Sequence, residues 1–205
     1  ISGMGAICHT VNPRLYSEQI EYIINHAEDC YVFLDACFAR LLEPVADKLT
    51  SVRGFIFMID EDQMPATSLP NPMNYEALLA AHSAEFQWPD FSADTAACLC
   101  YTSGTTGNPK GVLYSHASTV LHAYASRNPD ALNISADSVV MPVVPMYHVC
   151  AWGMPYIAPI AGATLVLPGD GMDGKSLHEL IDYAQVDLML GVPTVWLGLI
   201  DYLKK

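Results

Sequence analysis

Basic residues are scarce in this chain. Nine lysines and arginines stand against 22 aspartates and glutamates, a formal net charge of −13 over 205 residues. A field of that sign repels nucleic acid and anionic membrane surfaces, so neither is expected as a general partner. Long apolar runs are also missing: none approaches the roughly 20 residues needed to span a bilayer. The opening Ile1-Ser2-Gly3-Met4-Gly5 carries no charged leader. These absences predict a soluble cytoplasmic protein without a membrane span. The six cysteines, at 8, 30, 37, 98, 100 and 150, form no Cys-x-x-Cys pair and no metal-finger spacing. They read as reduced core residues. Cys98 and Cys100 would face one side of a strand, which invites a metal reading, but tight packing ahead of a loop favours core filling. His148 beside Cys150 invites a thiol-nucleophile reading, which no helix N-terminus or orienting group supports.

What is abundant is apolar: 52% of residues are hydrophobic, enough for a sizeable core in one large or two small domains. Along the chain, strand and helix patterns alternate. Residues 6–11 read as a strand, Ser17 to Ala27 as a helix, 30–34 as a strand, Cys37 to Leu49 as a helix, and 55–59 as a strand. Residues 60–72, with acids, three prolines and an asparagine, read as a loop, and Trp88-Pro89-Asp90 as a join. Further on come a strand at 96–101, a helix from Ala117, a strand at 138–144 and an apolar helix around 152–160. A strand at 164–167, a helix at 176–184, a strand at 188–190 and a helix after Pro193 complete the series. This rhythm predicts an α/β fold of mainly parallel sheets layered with helices, divided into parts 1–90 and 91–205.

Within that frame lies Tyr101-Thr102-Ser103-Gly104-Thr105-Thr106-Gly107-Asn108-Pro109-Lys110-Gly111-Val112. Glycines let backbone N–H groups approach phosphate oxygens, hydroxyls add donors, and Lys110 adds a point charge. An apolar strand before it and a helix after it are the expected surroundings of a phosphate cradle. The nucleotide-triphosphatase P-loop is excluded, because G-x-x-x-x-G-K-[ST] counted from Gly104 puts Pro109 at the second glycine and Gly111 at the hydroxyl position. A second cluster, Pro145-Met146-Tyr147-His148-Val149-Cys150-Ala151-Trp152-Gly153, follows the strand ending at Val144, where ligands of open α/β sheets collect. One shared pocket is the expectation.

The loop resembles the Tyr-Thr-Ser-Gly-Thr-Thr-Gly-x-Pro-Lys-Gly-Val signature of the adenylate-forming superfamily, which includes acyl-CoA synthetases, luciferases and peptide-synthetase adenylation domains. The His148 segment, with its Ala-Trp-Gly, is most similar to the medium- and long-chain fatty-acyl-CoA synthetase branch. Residues 8–15, 24–29 and 191–196 resemble it too. The resemblance implies part of the large N-terminal domain of an ATP-dependent acid–CoA ligase, with Mg2+ and coenzyme A. Ser103, Gly104, Thr105, Thr106, Gly107 and Lys110 would bind the β- and γ-phosphates, and Thr102 would help hold magnesium. His148 would line the boundary between adenylate and acyl tunnel, with Val149 and Trp152 near the adenylate. Lys110 and His148 are the catalytic candidates.

The superfamily's Tyr-Gly-x-Thr-Glu motif, ribose aspartate and lid lysine are not found in these 205 residues, and Pro168-Gly169-Asp170-Gly171 reads as a turn. A fragment inactive alone is therefore expected, with a carboxylic acid as substrate and a homodimer as one assembly. The acid is a fatty acid or a short thioether acid such as methylmercaptopropionate. A peptide-synthetase-like adenylation domain and a truncated, non-enzymatic binding module are the other readings.

Overall fold

The computed structural model describes residues 1–102 and 107–204. Ser103, Gly104, Thr105 and Thr106, four of the expected phosphate-binding residues, lie outside the described residues. The chain packs as two compact units. One comprises Val11–Asp90 with Tyr101–Val112; the other comprises Ile1–Thr10, Phe91–Cys100 and Leu113–Lys205.

In the unit built on residues 11–90, helix α1 (Ser17–Ala27) buries Ile20, Ile23 and Ile24 completely. That i, i+3, i+4 stripe is the apolar face of an amphipathic helix. Each side chain stabilises by about 1.5–3 kcal/mol. The helix ends where Glu28 turns left-handed, with φ 55°. Strands β2 (Tyr31–Leu34), β3 (Gly54–Phe57) and β4 (Pro72–Asn74) form a parallel sheet in that order, with Val32 opposite Phe55 and Phe55 opposite Pro72. All four residues of β3 are buried, as befits the central strand of a parallel sheet covered on both faces.

Two expectations are corrected here. The helix predicted from Cys37 to Leu49 is a 3-10 turn (Ala36–Phe38), one α turn, α2 (Ala39–Leu42), and a second 3-10 stretch (Glu43–Lys48). Pro44, lacking an N–H, stops the α geometry. The stretch read as a loop to Pro72 contains a 3-10 turn (Glu61–Gln63), and β4 follows at its end. Pro72 is tolerated because it opens an edge strand. Asn74 is the helix cap that the pattern concealed: its Oδ1 accepts from the Ala77 N–H at 2.8 Å and starts α3 (Tyr75–Ala80). Its Nδ2 donates to the Ile59 carbonyl at 2.7 Å, so this buried amide is satisfied on both sides.

In the other unit, β1 (Cys8–Thr10) runs parallel to β5 (Ala96–Thr102), with Cys8 opposite Cys98 and Thr10 opposite Cys100. Strand β6 (Lys110–Ser115) pairs on the far side of β5. A second parallel sheet places β7 (Val139–Val143) between β8 (Thr164–Leu165) and β9 (Leu188–Gly191). Pro142 is accommodated in this central strand because β8 pairs only with Val139 and Val140 and ends before it. Helix α4 (His116–Ser126) contributes Ala123 and helix α6 (Met154–Ala161) contributes Met154, Ile157 and Ala158 to the core around Val140. Between β7 and α6 lies a single helical turn, α5 (Val149–Trp152). Helices α7 (Gly174–Ala184) and α8 (Pro193–Leu203) pack on each other, and residues 168–171 form the expected turn, closed by the Gly171 N–H on the Pro168 carbonyl at 3.3 Å.

The start of α7 is set by Asp173. Its Oδ1 accepts from the N–H groups of Lys175 and Ser176 at 3.0 and 3.2 Å, and its Oδ2 from the Ser176 hydroxyl at 2.6 Å. These bonds, the Ser176 hydroxyl foremost, hold the carboxyl below the usual range. A depressed folded value means that the contribution is present above the ordinary carboxylate pKa and is lost as pH falls through the folded one. Asp173→Ala is therefore expected to lower the melting temperature by a few degrees at pH 7, with the gap to the parent closing in acid. Melts at pH 7 and below pH 4 check this.

Candidate functional site

The two clusters singled out in the sequence each lie at the carboxyl end of a parallel strand, one after β5 and one after β7. The strand–loop–helix setting expected for the first is corrected. Strand β6 begins at Lys110, so five residues lie between the lysine and the start of α4. The loop is thus followed directly by a strand and not by a helix N-terminus. Val112-Leu113-Tyr114, β-branched, apolar and aromatic, carry a strand signal of their own.

At the loop's base, the Thr102 hydroxyl donates to the Lys110 carbonyl at 3.4 Å, joining its two described ends. Gly107 has φ 96° with open space where a side chain would stand, a conformation that favours glycine and leaves its backbone accessible. Pro109 is buried, whereas Thr102, Gly107 and Lys110 are exposed. Among the described residues no carboxylate forms an ion pair with Lys110. An exposed ammonium that forms no ion pair among the described residues, on the same loop as Gly107 and Thr102, suits an incoming anion. By contrast, the cleft lined by Met58, Ile59, Asp60, Gln63, Tyr75 and Glu76 presents two carboxylates, the wrong sign for a phosphate.

The strand entering the loop is held by a pair that sequence reading missed. The Tyr101 hydroxyl lies 2.7 Å from His26 Nδ1, with the rings edge to face at 5.9 Å. Partial burial raises the Tyr101 pKa, keeping the phenol protonated. Seventy-five residues separate the two, and no local pattern signals such a contact.

After β7 the chain adopts a hand that L-residues avoid. Val149, Cys150, Ala151 and Trp152 have φ of 50°, 47°, 50° and 55°, and Gly153 follows at 79°. Each left-handed non-glycine residue costs about 1–2 kcal/mol, and a β-branched valine there is a genuine outlier. Packing holds the turn: Ala151 and Met154 are fully buried, and half-buried Trp152 packs on the same cluster. Gly153 is required twice over, by its φ and by the His122 ring, which would stand 2.9 Å from a Cβ. The strained turn turns Val149 outward, 44% exposed, beside exposed His148, whose N–H bonds the Pro145 carbonyl at 3.0 Å. His148, Val149 and Trp152 are thus gathered on one turn, as Thr102, Gly107 and Lys110 are on one loop.

Cys150 does not partner His148. Its Sγ lies 3.3 Å from Cys100 Sγ, in a buried cluster with Cys98, flanked by Cys8, Tyr114 and Tyr156. The Cys100 sulfur also meets Thr10 Oγ1 at 3.3 Å, and Cys98 meets Thr119 Oγ1 at 3.9 Å. Hydrogen bonding with Cys150 lowers Cys98 and Cys100 to about 6 each, and the same contacts push Cys150 up. Burial pushes the Tyr156 hydroxyl up. Among the described residues no group of three His, Cys, Asp or Glu is arranged to hold a metal ion. Among the described residues no helix is long and apolar enough to cross a membrane.

Comparison with known proteins agrees with this architecture. The chain is 50% identical over 204 residues to a 3-methylmercaptopropionyl-CoA ligase of Ruegeria lacuscaerulensis, a match covering all of this chain and 38% of that protein. It is 50% identical over 200 residues to a medium-chain-fatty-acid–CoA ligase of Ectopseudomonas oleovorans, covering 98% of the chain and 37% of the relative. The chain thus spans under two fifths of the length of these curated relatives. The crystal structure of a putative long-chain-fatty-acid CoA ligase from Rhodopseudomonas palustris superposes with a TM-score of 0.80 at 20% identity, over 97% of this chain and 47% of that one. That likeness shows the α/β fold. The family model described as AMP-binding enzyme matches residues 1–205, and the chain belongs to that family.

Proposed function

We propose that the chain is the phosphate-binding part of an ATP-dependent acid–CoA ligase, which joins a carboxylic acid to AMP and then to coenzyme A. The observation that carries this reading is the loop from Thr102 to Lys110, with an exposed lysine that forms no ion pair among the described residues and a glycine backbone open to an anion, in a chain matched throughout by the AMP-binding family. Ser103, Gly104, Thr105, Thr106, Gly107 and Lys110 bind the β- and γ-phosphates and the departing pyrophosphate. Attack of one anion on another is opposed chiefly by charge repulsion, so fixed donors and a cation lower the barrier by positioning and by neutralising charge.

Thr102 fits magnesium as a single oxygen ligand. Among the described residues no group of three His, Cys, Asp or Glu adds to it, so Thr102 would be one ligand beside phosphate oxygens and water. When bound, magnesium masks phosphate charge, which a chain of net charge −13 needs. His148, Val149 and Trp152 line the acyl side of the adenylate. Their support is the exposed, strained turn, since strain of this kind collects at ligand sites. The acid is a fatty acid or a short thioether acid, in line with what the two relatives' names say they act on. A cytoplasmic location goes with this reading.

The test is carboxylate-dependent ATP–pyrophosphate exchange across fatty and thioether acids, on the chain and on a longer protein carrying it. Exchange by the longer protein supports the reading. Exchange by neither, with folding confirmed, overturns it.

A further inference from the structure

We propose that Cys100 and Cys150 form an oxidisable dithiol, a redox-sensitive modification site tying the strand that leads into the glycine-threonine loop to the turn that follows His148. The inference is independent of the catalytic reading. It rests on three observations. The two sulfurs are 3.3 Å apart in the reduced protein, with Cys100 5% and Cys150 7% exposed. Cys150 stands on the left-handed turn, held by packing rather than by backbone preference, so a small displacement of that turn is what a bond would require. Third, Cys98 and Cys100 are two residues apart on one face of β5, so their parallel Cβ atoms stand about 6.6 Å apart, beyond the roughly 3.5–4.5 Å of a disulfide. Cys150, on another element, is the partner within reach.

The chemistry balances with hydrogen peroxide as the two-electron oxidant. Cys100 is the thiolate to react first: its sulfur lies 3.3 Å from both Cys150 Sγ and Thr10 Oγ1, and hydrogen bonding there lowers its pKa to about 6. Its sulfur attacks one peroxide oxygen, the O–O bond breaks, and hydroxide leaves to collect a proton as water. The resulting sulfenic acid is attacked by Cys150 Sγ, the S–O bond breaks, and the Cys150 proton goes to the second hydroxide. Two thiols and one peroxide give one disulfide and two waters. The ring closed this way runs from 100 to 150 and contains the whole glycine-threonine loop, Lys110 and His148. Exposed Cys30 and Cys37 lie outside it and serve as internal controls.

The experiment treats the purified protein with a few equivalents of hydrogen peroxide, quenches, blocks free thiols and maps peptides without reductant. The expected result is a peptide pair joined through Cys100 and Cys150, lighter by two hydrogens and split by dithiothreitol. It persists in Cys98→Ala and vanishes in Cys150→Ala. Should Cys150→Ala fail to fold, the parent and Cys98→Ala maps still decide. Alkylatable Cys100 and Cys150 after oxidation, a bond from Cys150 to Cys98 with Cys100 free, or sulfinic acid at Cys100 without a cross-link each overturn the proposal.

Discussion

On the proposed function, Lys110→Ala in a longer protein carrying this chain is expected to slow acyl-adenylate formation by about 100- to 1000-fold, the scale of losing one preorganised charge at a reacting phosphate. Transfer from preformed acyl-adenylate to coenzyme A is expected to change much less, because pyrophosphate has already gone. Single-turnover measurement of each half-reaction separates the two, and equal slowing would remove the lysine's assigned role. The fold is expected to be indifferent: the ammonium is exposed and forms no ion pair among the described residues, and such surface changes shift stability within about 0.5 kcal/mol. An unchanged melting temperature beside lost adenylation therefore assigns the effect to chemistry.

Phe57→Ala is expected to do the opposite, costing stability first. Phe57 ends the central strand β3, has no exposed surface, and packs in the cluster of Ile20, Ile24, Leu34 and Phe55. Truncating a fully buried phenylalanine costs about 3–5 kcal/mol in transfer and cavity terms. Domains of ordinary stability hold about 5–15 kcal/mol, so one such loss consumes a large share. At about 2–4 °C per kcal/mol for a chain of this length, the melting temperature should fall by roughly 6–20 °C. Any loss of activity should track the unfolded fraction and recover on cooling, unlike that of Lys110→Ala. A cost under about 1 kcal/mol in denaturant titration would mean that this core is not packed as described.

Residues with a local physical signature were readable in advance. Helix α1 runs over the very residues, Ser17–Ala27, that its apolar stripe marks, and α8 starts at the proline suited to a first helical turn. The pairing of Cys98 with Cys100 on one buried face followed from the two-residue period of a strand. What stayed hidden depends on partners remote in sequence. Strand β4 has three residues and opens on proline, and only pairing with β3 makes it a strand. Strand β6 is mostly exposed and exists by pairing with β5, while the Tyr101–His26 contact joins residues with no shared pattern. The left-handed turn at 149–152 contradicts every local preference of its residues, so sequence patterning could not reveal it. Local preference fails there because tertiary packing decides the backbone.

That turn also sets the terms for chemical redesign of the site. Over Val149–Trp152 the backbone follows the mirror image of the path taken by the protein's right-handed helices. Substitution rules learned on right-handed helices do not carry over: alanine, the best helix former elsewhere, gains nothing at 151, and natural residues other than glycine, asparagine and aspartate meet the full steric opposition. Glycine would relieve it but empty the fully buried position that the Ala151 methyl fills. A D-alanine, introduced by peptide ligation, would suit the handedness but exchange the Cα hydrogen with the methyl, leaving the same packed position empty. Position 151 thus keeps its L-alanine for packing and against the preference of its backbone.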